Sequence, residues 1–269
     1  MIKRPYMGYN TKNHARRKTR ENTGERAVHM SNLSRDDIAS AKARGFLLNR
    51  DTDCFSGRVV VPAGLCSAAQ LRRIADCAER FGNGESAFTS RLNAEIIGIP
   101  FDRLDEASAF ISGGESGLRF GGTGARIRPI TACKGTTCVF GNCDTRAFAR
   151  ELHEKYYLGK ANETLPGKFK ICVGGCPNSC MKPSINDFGI EARRGRDTEL
   201  FQIYVGGMWG RHTRAGTPLA ALVSKEDVFL ILDAVLTWYA DNAQPRERLG
   251  AAIDRLGFDS LEKALQLGG

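Results

Sequence analysis

In the stretch Cys172-Val173-Gly174-Gly175-Cys176-Pro177-Asn178-Ser179-Cys180, three thiols stand within nine positions among glycines, a proline and an asparagine. Such a segment is poor core material, but its turns can aim several sulfurs at one point. With Cys133, Cys138 and Cys143, six of the nine cysteines of the chain fall within 48 positions. Thiolates in sets of four select zinc or iron–sulfur clusters. The choice between these two kinds of site decides what the protein does.

The spacing of the cysteines favours a cluster without excluding zinc. Paired zinc ligands are usually separated by two residues. Here four residues separate Cys133 from Cys138, and three separate Cys176 from Cys180. The bacterial ferredoxin run, with cysteines at two-residue intervals, does not occur in the sequence either. The pattern that remains is a cluster assembled from two separated pairs.

The composition is that of a globular protein with a sizeable core. The 269 residues are enough for one large domain or two small ones, and 42% of them are hydrophobic. No apolar run approaches the roughly 20 residues that span a bilayer, and the N-terminus has no signal-type apolar stretch. We therefore expect a cytoplasmic protein without membrane contact, whose thiols stay reduced. Nine is also an odd number of cysteines, which disfavours a disulfide framework.

The net charge of +9 is concentrated at the N-terminus. Residues 1–29 contain eight Lys or Arg against two Glu, so the tail contributes +6 and the rest of the chain +3. Because this segment has almost no apolar periodicity, residues 1–33 are expected to form a disordered basic arm. A nucleic-acid partner is the less favoured interpretation of this charge.

Residues 34–115 have the pattern of a ferredoxin-like half-domain. After a first helix capped by Ser34, strands are expected at 58–61, 86–91, 94–97 and 117–120, and helices at 67–81 and 101–112. The order strand, helix, strand, strand, helix, strand is typical of a ferredoxin-like sandwich. Glycine-rich segments at 113–114 and 121–124 mark its end.

Residues 116–269 read as a second unit of α/β type. Strands at 127–131 and 168–173 lead directly into the two cysteine groups, and Asp144 begins a helix that runs to about residue 157. Later strands are expected at 190–192 and 200–205. The C-terminus is helical, with one long helix capped by Ser224 and two short helices after Pro245. The predicted fold class is α+β.

The residues around the cysteines resemble those of the siroheme-containing sulfite and nitrite reductases, and most of all the small single-unit sulfite reductases. The match runs from about residue 45 to the C-terminus. Two motifs carry it, Ala132-Cys133-Lys134-Gly135-Thr136-Thr137-Cys138 and Gly175-Cys176-Pro177-Asn178-Ser179-Cys180. Three segments support it, Gly82-Asn83-Gly84, Thr89-Ser90-Arg91 and Leu165-Pro166-Gly167-Lys168-Phe169-Lys170. The resemblance implies siroheme and a [4Fe–4S] cluster as cofactors.

The resemblance also assigns the cluster ligands. It places the cluster on Cys133, Cys138, Cys176 and Cys180, with Cys180 also bridging to the siroheme iron. The first pair of the family is usually separated by five residues rather than four, so Cys143 stays open as an alternative to Cys133. Cys143 precedes the Asp144 cap, where a helix N-terminus is expected to lower the pKa of a thiol. Cys172 is expected to be buried beside the cluster.

The same resemblance implies a cationic substrate site. Sulfite and nitrite are anions and siroheme carries many carboxylates, so the pocket needs fixed cations that also donate hydrogen bonds. The matching residues are Arg91, Arg128, Lys168 and Lys170, with Arg126 a less favoured candidate for the second arginine. Lys168 and Lys170, two apart on a strand, project to the same face. Asn178 and Cys180 complete the expected cofactor contacts.

The implied activity is the six-electron reduction of sulfite to sulfide, with electrons passed through the cluster. Reduction of nitrite to ammonia on the same site is the alternative, and a non-catalytic cluster-binding subunit of a larger redox complex is a third hypothesis. Residues 121–124 lack the spacing of a dinucleotide fingerprint. An external electron donor, a ferredoxin or a reductase subunit, is therefore expected. A homodimer or a hetero-oligomer fits a chain with one copy of the unit.

Overall fold

A computed structural model describes residues 33–195 and 199–266 of the chain. The α-helices in these ranges are α1 (Arg35–Ala43), α2 (Ala68–Phe81), α3 (Leu104–Ser112), α4 (Thr145–Leu152), α5 (Lys225–Asn242), α6 (Leu249–Leu256) and α7 (Phe258–Gln266). The strands are β1 (Phe46–Leu48), β2 (Cys54–Val60), β3 (Ser86–Phe88), β4 (Ala94–Pro100), β5 (Arg119–Phe120), β6 (Thr131–Ala132), β7 (Ile171–Gly174), β8 (Phe188–Arg194), β9 (Glu199–Val205) and β10 (Thr217–Pro218). None of the described helices combines the length and apolar character that a bilayer-spanning segment needs.

The first sheet has the ferredoxin-like strand order. β2 lies between β5 and β4, and β3 forms the far edge, with all neighbours antiparallel. The additional strand β1 pairs with residues 55–57 of β2, on the same edge where β5 pairs with residues 59–60. Helices α2 and α3 pack on this sheet and enclose a core that includes Phe46, Phe55, Ile96, Ile99 and Ile111. The ferredoxin-like prediction is confirmed.

The second sheet has the order β10-β9-β8-β7-β6 and is mixed. β6, β7 and β8 are parallel, while β8, β9 and β10 are antiparallel. Its core includes Phe148 of α4, Phe169, Phe188, Phe201 and Trp238 of α5. Because β6 and β7 run parallel, the turns that follow them leave from the same edge of the sheet. These are the turns that carry the two cysteine groups.

The helix starts expected from the sequence are confirmed. Ser34, Ser67 and Ser224 each cap a helix, and each forms a reciprocal capping box with the third helical residue. Asp144 caps α4 by accepting hydrogen bonds from two backbone amides. Serine at a cap with a carboxylate or amide three residues later is a local signal, so the sequence alone was enough to place it.

Several expected strands differ in extent. The strand expected at 58–61 begins earlier, at Cys54, and β1 and β10 were not predicted. The strand expected at 127–131 is an isolated bridge from Ile127 to Phe169, followed by the two-residue β6. Lys168 and Lys170 flank this bridge and lie outside β7. The helix from Asp144 continues as a π-helix over His153–Leu158, which periodicity does not reveal.

One core prediction on α2 is wrong. The helical spacing of Leu71, Ile74 and Ala78 predicts that all three lie on the buried face, but Leu71 is 44% exposed. Leu71 lies in the first turn of α2, whereas Ile74, Cys77 and Ala78, further along the helix, are buried. Helical spacing gives the face of a residue, not how far along the helix the neighbouring sheet reaches.

The described chain contains two separate hydrophobic cores, one under each sheet. By its contacts, however, the chain from Ser31 onward forms one compact unit. The boundary at 115/116 stays a prediction. The expected basic arm, residues 1–33, lies outside the described residues except for Leu33.

A pair of glycines should separate backbone strain from steric clash. Gly45 (φ +103°) and Gly84 (φ +85°) both adopt left-handed backbone, but a Cβ on Gly45 would lie 2.3 Å from Gly121 N, whereas Gly84 has nothing within 4 Å. Gly84→Ala should cost about 1 kcal/mol of unfolding free energy for the left-handed conformation. Gly45→Ala should cost about 1–3 kcal/mol more, because the added Cβ would also clash with the backbone of Gly121. Denaturant unfolding measures both, and equal losses would contradict the packing shown at Gly45.

Candidate active site

Four cysteines from the two turns line a single cavity. Ala132 of β6 is paired with Val173 of β7, and Cys133 N donates to Val173 O at 3.1 Å, so the two turns start side by side. The cavity, of about 360 Å³, is lined by Cys133, Cys138, Cys176 and Cys180. The structure therefore brings together the two pairs expected from the sequence, although 37 residues separate Cys138 from Cys176.

Glycines let the first cysteine turn close on itself and let the second turn approach it. A Cβ on Gly141 would lie 2.2 Å from Gly135 O, and one on Gly175 would lie 3.1 Å from the Sγ of Cys133. Gly175 N donates a hydrogen bond to that sulfur at 3.2 Å. Backbone amides that donate to cysteine sulfurs tune clusters held by thiolates. The cysteine-lined cavity thus provides four sulfur ligands, a backbone amide that donates to one of them, and an open volume between them.

The arrangement suits a cluster better than a single ion. Among residues 33–195 and 199–266, no group of three or more His, Cys, Asp or Glu converges closely enough to hold one metal ion. A structural zinc draws its ligands to about 2.3 Å from one point. An iron–sulfur cube is larger, so its cysteines stand around a space. The four cysteines surround such a space.

Cys143, the alternative ligand, is placed differently. It is buried and does not line the cavity. Burial raises the pKa of the Cys143 thiol to about 12, and the neighbouring Glu199 adds to the rise. The expectation that the helix N-terminus would lower this pKa is therefore wrong, because desolvation outweighs the helix dipole.

Cys172 is fully buried within β7, as expected. Its Sγ donates to the carbonyl of Met181 at 3.4 Å, and burial raises its pKa to about 11. A neutral thiol in this position packs beneath the second cysteine turn.

The four expected cationic residues line a second cavity. Arg91, Arg128, Lys168 and Lys170 border a space of about 340 Å³, together with Lys42 and Arg58. Arg91 comes from the first sheet's β3–β4 turn, and the other three come from segments that precede the cysteine turns. Two elements distant in sequence thus meet around one cavity with a cationic wall.

Arg91 is a rigid part of this wall. Its guanidinium donates to Pro129 O at 2.7 Å, to Ile171 O at 3.0 Å and to the Oδ1 of Asn186 at 3.0 Å. Burial lowers the pKa of Arg91 to about 10. Its buried Nε has no hydrogen-bond partner in the part of the chain that the structure describes. An unpaired, buried N–H of a cation is costly unless an anion accepts from it.

Arg128 shows the same feature. It donates to the carbonyl of Gly122, its Nε is buried without a partner among the described residues, and burial, with Arg58 nearby, lowers its pKa to about 10. Arg126, the less favoured candidate, is exposed and lies outside this cavity. Two orphaned guanidinium donors on one wall fit an anionic ligand.

The two lysines are directed by the residue between them. Phe169 is buried in the second core. Its backbone N donates a hydrogen bond to Arg126 O at 3.0 Å, and its carbonyl oxygen accepts one from Arg128 N at 2.8 Å. In extended backbone, neighbouring side chains point to opposite faces, so burying Phe169 turns both lysines toward the cavity. Burial lowers the pKa of Lys170 to about 8, with Arg91 and Arg248 adding to the effect. Burial also lowers the pKa of Lys168, with Arg248 and Arg128 adding to the effect.

A buried ion pair that sequence reasoning missed supports Lys170. Asp187 is fully buried and accepts from Arg248 Nε at 2.9 Å and from Lys170 N at 2.8 Å. Burial raises the pKa of Asp187, and the guanidinium of Arg248 opposes the rise. No local pattern marks these residues, because their pairing across 61 positions exists only in the folded chain.

A larger cavity of about 550 Å³ adjoins the cationic one and shares Lys42, Arg128 and Lys168 with it. Its further cationic or titratable lining residues, also not predicted, are Arg211, His212, Arg246 and Arg248. A space of this size and charge suits a bulky group with several carboxylates. Asn178, an expected cofactor contact, is exposed and lies outside the lining of the cavities described here.

Two family models match the chain. The nitrite and sulphite reductase 4Fe-4S domain matches residues 123–267, and the nitrite/sulfite reductase ferredoxin-like half domain matches residues 48–111. The first match contains all four cavity cysteines, Arg128 and both lysines. The second contains Arg91.

The chain is also similar, at low sequence identity, to individual proteins. The chain is 26% identical over 261 residues to an uncharacterised protein of Methanocaldococcus jannaschii, covering 80% of this chain and 92% of that one. It is 27% identical over 263 residues to the coenzyme F420-dependent sulfite reductase of the same organism, covering 77% of this chain but only 41% of the relative. The solved structure of the Mycobacterium tuberculosis NirA protein superposes with a TM-score of 0.76 at 18% identity, over 87% of this chain and 47% of that one.

The environment of Lys170 gives a test in the cofactor-free protein. We expect the midpoint of Lys170 acetylation to fall near pH 8, because burial and neighbouring cations lower its pKa. Lys168→Met removes one of those cations and should move the midpoint up. Asp187→Asn removes the anion that opposes the shift and should move it down. Mass-spectrometric labelling across pH measures all three, and a shared direction for the two variants would contradict the assigned causes.

Proposed function

The chain belongs to the nitrite and sulphite reductase family, and on that premise we propose that it is a siroheme-dependent sulfite reductase. The family indicates siroheme and a [4Fe–4S] cluster as cofactors and an oxidoreductase as the class of protein. The observation that carries the proposal is a pair of cavities, one lined by four cysteines and the other by six cationic side chains, to which the consecutive residues Leu92 and Arg91 respectively belong. A thiolate site for a cluster beside a cationic site for an anion is what the reduction of an anion requires.

Cys133, Cys138, Cys176 and Cys180 are the proposed cluster ligands, with Cys180 shared with siroheme. Their common cavity supports this set, and the buried position of Cys143 outside that cavity disfavours the alternative. The unpaired Nε atoms of Arg91 and Arg128 support an anionic occupant in the cationic cavity. The larger adjoining cavity supplies the additional cations that the carboxylates of siroheme would need.

When bound, siroheme and the cluster supply the redox chemistry. The protein's own residues bind and protonate the anion. Arg91, fixed by three hydrogen bonds, holds its positive charge at the cavity wall without needing to reorganise, and Arg128, which donates to the carbonyl of Gly122, does the same. Such preorganised donors stabilise negative charge as it builds. Lys170, with a pKa near 8, is protonated at neutral pH yet able to release its proton, as a general acid must.

Sulfite is the proposed substrate and nitrite the alternative. Six cationic side chains border the cavity, which suits an anion with three oxygens and up to two charges better than one with two oxygens and a single charge. The same cations would also accept nitrite, and the family description names both reactions. Steady-state reduction of each anion by the cofactor-loaded protein decides between them. A loaded protein that reduces neither would favour the hypothesis of a non-catalytic subunit.

We propose an external electron carrier as partner, a ferredoxin or a reductase subunit. The chain spans less than half the length of the F420-dependent sulfite reductase it resembles. The cytoplasm is the proposed compartment, because each of the nine cysteines is free and reduced thiols persist there. A homodimer or hetero-oligomer stays a prediction.

Single Cys→Ser variants should divide the cysteines into two groups. Replacing Cys133, Cys138, Cys176 or Cys180 should abolish or strongly lower the bound iron and acid-labile sulfide, because each removes one of four thiolates. Cys143→Ser should keep both, as should the control Cys77→Ser in the other core. Iron and sulfide assays after anaerobic reconstitution measure this. Loss of the cluster in Cys143→Ser with retention in Cys133→Ser would reverse the assignment.

The lysines should matter for turnover rather than for loading. Lys168→Met and Lys170→Met should each lower kcat about a hundredfold, the usual contribution of a positioned general acid, with the absorption bands of the cofactors retained. Lys160→Met is a control, since Lys160 lies near the surface and pairs with Glu163. Parallel loss of cofactor and activity would mean that the lysines support the fold instead.

A further inference from the structure

A chain of hydrogen bonds links the π-helix after α4 to the wall of the cationic cavity. The hydroxyl of Tyr157 accepts a hydrogen bond from Gly122 N at 3.0 Å. The carbonyl oxygen of the same glycine accepts from Arg58 Nη1 at 3.0 Å and from Arg128 Nη1. Both arginines line the cationic cavity, whereas Tyr157 lies outside its lining. Tyr157 therefore contacts the cavity wall through the backbone of Gly122.

The glycine segment needs such a contact to keep one conformation. A Cβ on Gly121 would lie 2.6 Å from the hydroxyl oxygen of Tyr157, so glycine at this position lets the phenol approach the backbone. Gly122 has a φ of +74°, in the left-handed region that glycine adopts readily. Because glycine has the most freely moving backbone of all residues, partners at both its N and its O are needed to fix the direction of its carbonyl.

Tyr157 is itself firmly held. Its ring stacks on that of His153, with 4.7 Å between the ring centroids and 26° between the planes, and His153 is buried. Burial raises the pKa of Tyr157, so the phenol is neutral at neutral pH. Both rings belong to the π-helix His153–Leu158, a rare kind of helix that is frequent at functional sites. A stacked and partly buried ring is a rigid support for the glycine segment.

We propose that Tyr157 is a positioning residue that, by holding Gly122, directs the guanidinium of Arg128 toward the anion in the cationic cavity. This inference rests on the proposed function, in which Arg128 binds the anion. A guanidinium donates from a fixed plane, so a shift of the carbonyl that it bonds to changes the direction of its other donors.

The effect should fall on Arg128 more than on Arg58, although both donate to the same carbonyl. Arg58 has a second anchor, since its Nε donates to Oε1 of Glu95 at 2.9 Å. Within the described ranges Arg128 forms no ion pair. The direction of Arg128 therefore depends more strongly on Gly122.

The neighbouring tyrosine provides a matched control. The hydroxyl of Tyr156 donates to Phe229 O at 3.1 Å in the second core, and Tyr156 does not line the cationic cavity. Tyr156→Phe and Tyr157→Phe each remove one hydroxyl of the same π-helix that bonds to a backbone atom. The two variants differ in whether the lost hydrogen bond leads to Gly122.

The test measures the Kd of sulfite for the cofactor-loaded protein from the change in its absorption bands. Tyr157→Phe should raise this Kd about tenfold, the effect of one hydrogen bond to a charged group, and Tyr156→Phe should leave it unchanged. In a double-mutant cycle, Tyr157→Phe should have no further effect once Arg128→Met has removed the guanidinium. In the cofactor-free chain, phenylglyoxal should modify Arg128 faster in Tyr157→Phe than in the wild type or Tyr156→Phe, as followed by mass spectrometry.

Three results would overturn the proposal. The first is an unchanged Kd in Tyr157→Phe. The second is an equal rise in both tyrosine variants, which would mean that the hydroxyls support the fold in general. The third is an additive loss in the cycle, which would mean that Tyr157 acts apart from Arg128. If the wild type neither binds nor reduces sulfite or nitrite, the proposed function fails, and the phenylglyoxal labelling still decides whether Tyr157 holds Arg128 in position.

Discussion

The parallel pairing of β6 with β7 is the constraint on which the rest of the structure depends. It sets Ala132 beside Val173, so the turns after both strands leave one edge of the sheet with their cysteines facing a common space. Antiparallel pairing would have sent the turns to opposite ends. Gly175 permits the close approach that follows, because a Cβ there would lie 3.1 Å from the Sγ of Cys133 in the neighbouring turn, while Gly135 and Gly141 let the first turn close on itself. The direction of the two strands thus brings the cysteine turns together, and the glycines in those turns then allow the cysteines to line one cavity.

Arg91 connects the two sheets at the point where the site forms. It comes from the ferredoxin-like half, yet it donates to the carbonyls of Pro129 and Ile171, which lie just before β6 and at the start of β7. Holding a guanidinium in this buried position costs desolvation, which appears as a lowered pKa. The same burial leaves Nε with no partner in the described chain. The cationic cavity therefore stores unfavourable electrostatics that a bound anion would relieve, and functional sites commonly show such a departure from the most stable arrangement.

Sequence reasoning succeeded where the signal is local. The serine and aspartate caps, the ferredoxin-like order and the two cysteine turns follow from neighbouring residues. Motifs selected Arg91, Arg128, Lys168 and Lys170, which line one cavity in the structure, and their roles stay predictions. It failed where the folded chain decides. Asp187 and Arg248 pair across 61 positions without any pattern, and Lys42 reaches the cavity from α1. The pKa of Cys143 was given the wrong direction because the sequence shows its place before a helix but not its burial. Distances between segments are set by packing, which one sequence does not encode in readable form.

The most direct test of the central claim is the metal and sulfide content of the protein together with its absorption spectrum. If two cysteine pairs hold one cube beside a siroheme, the anaerobically loaded chain should contain about five irons and about four acid-labile sulfides. Its spectrum should show an intense Soret band and a red band above a broad brown shoulder. A colourless protein with one zinc and no sulfide would contradict the account, because four thiolates would then be closing on a single ion.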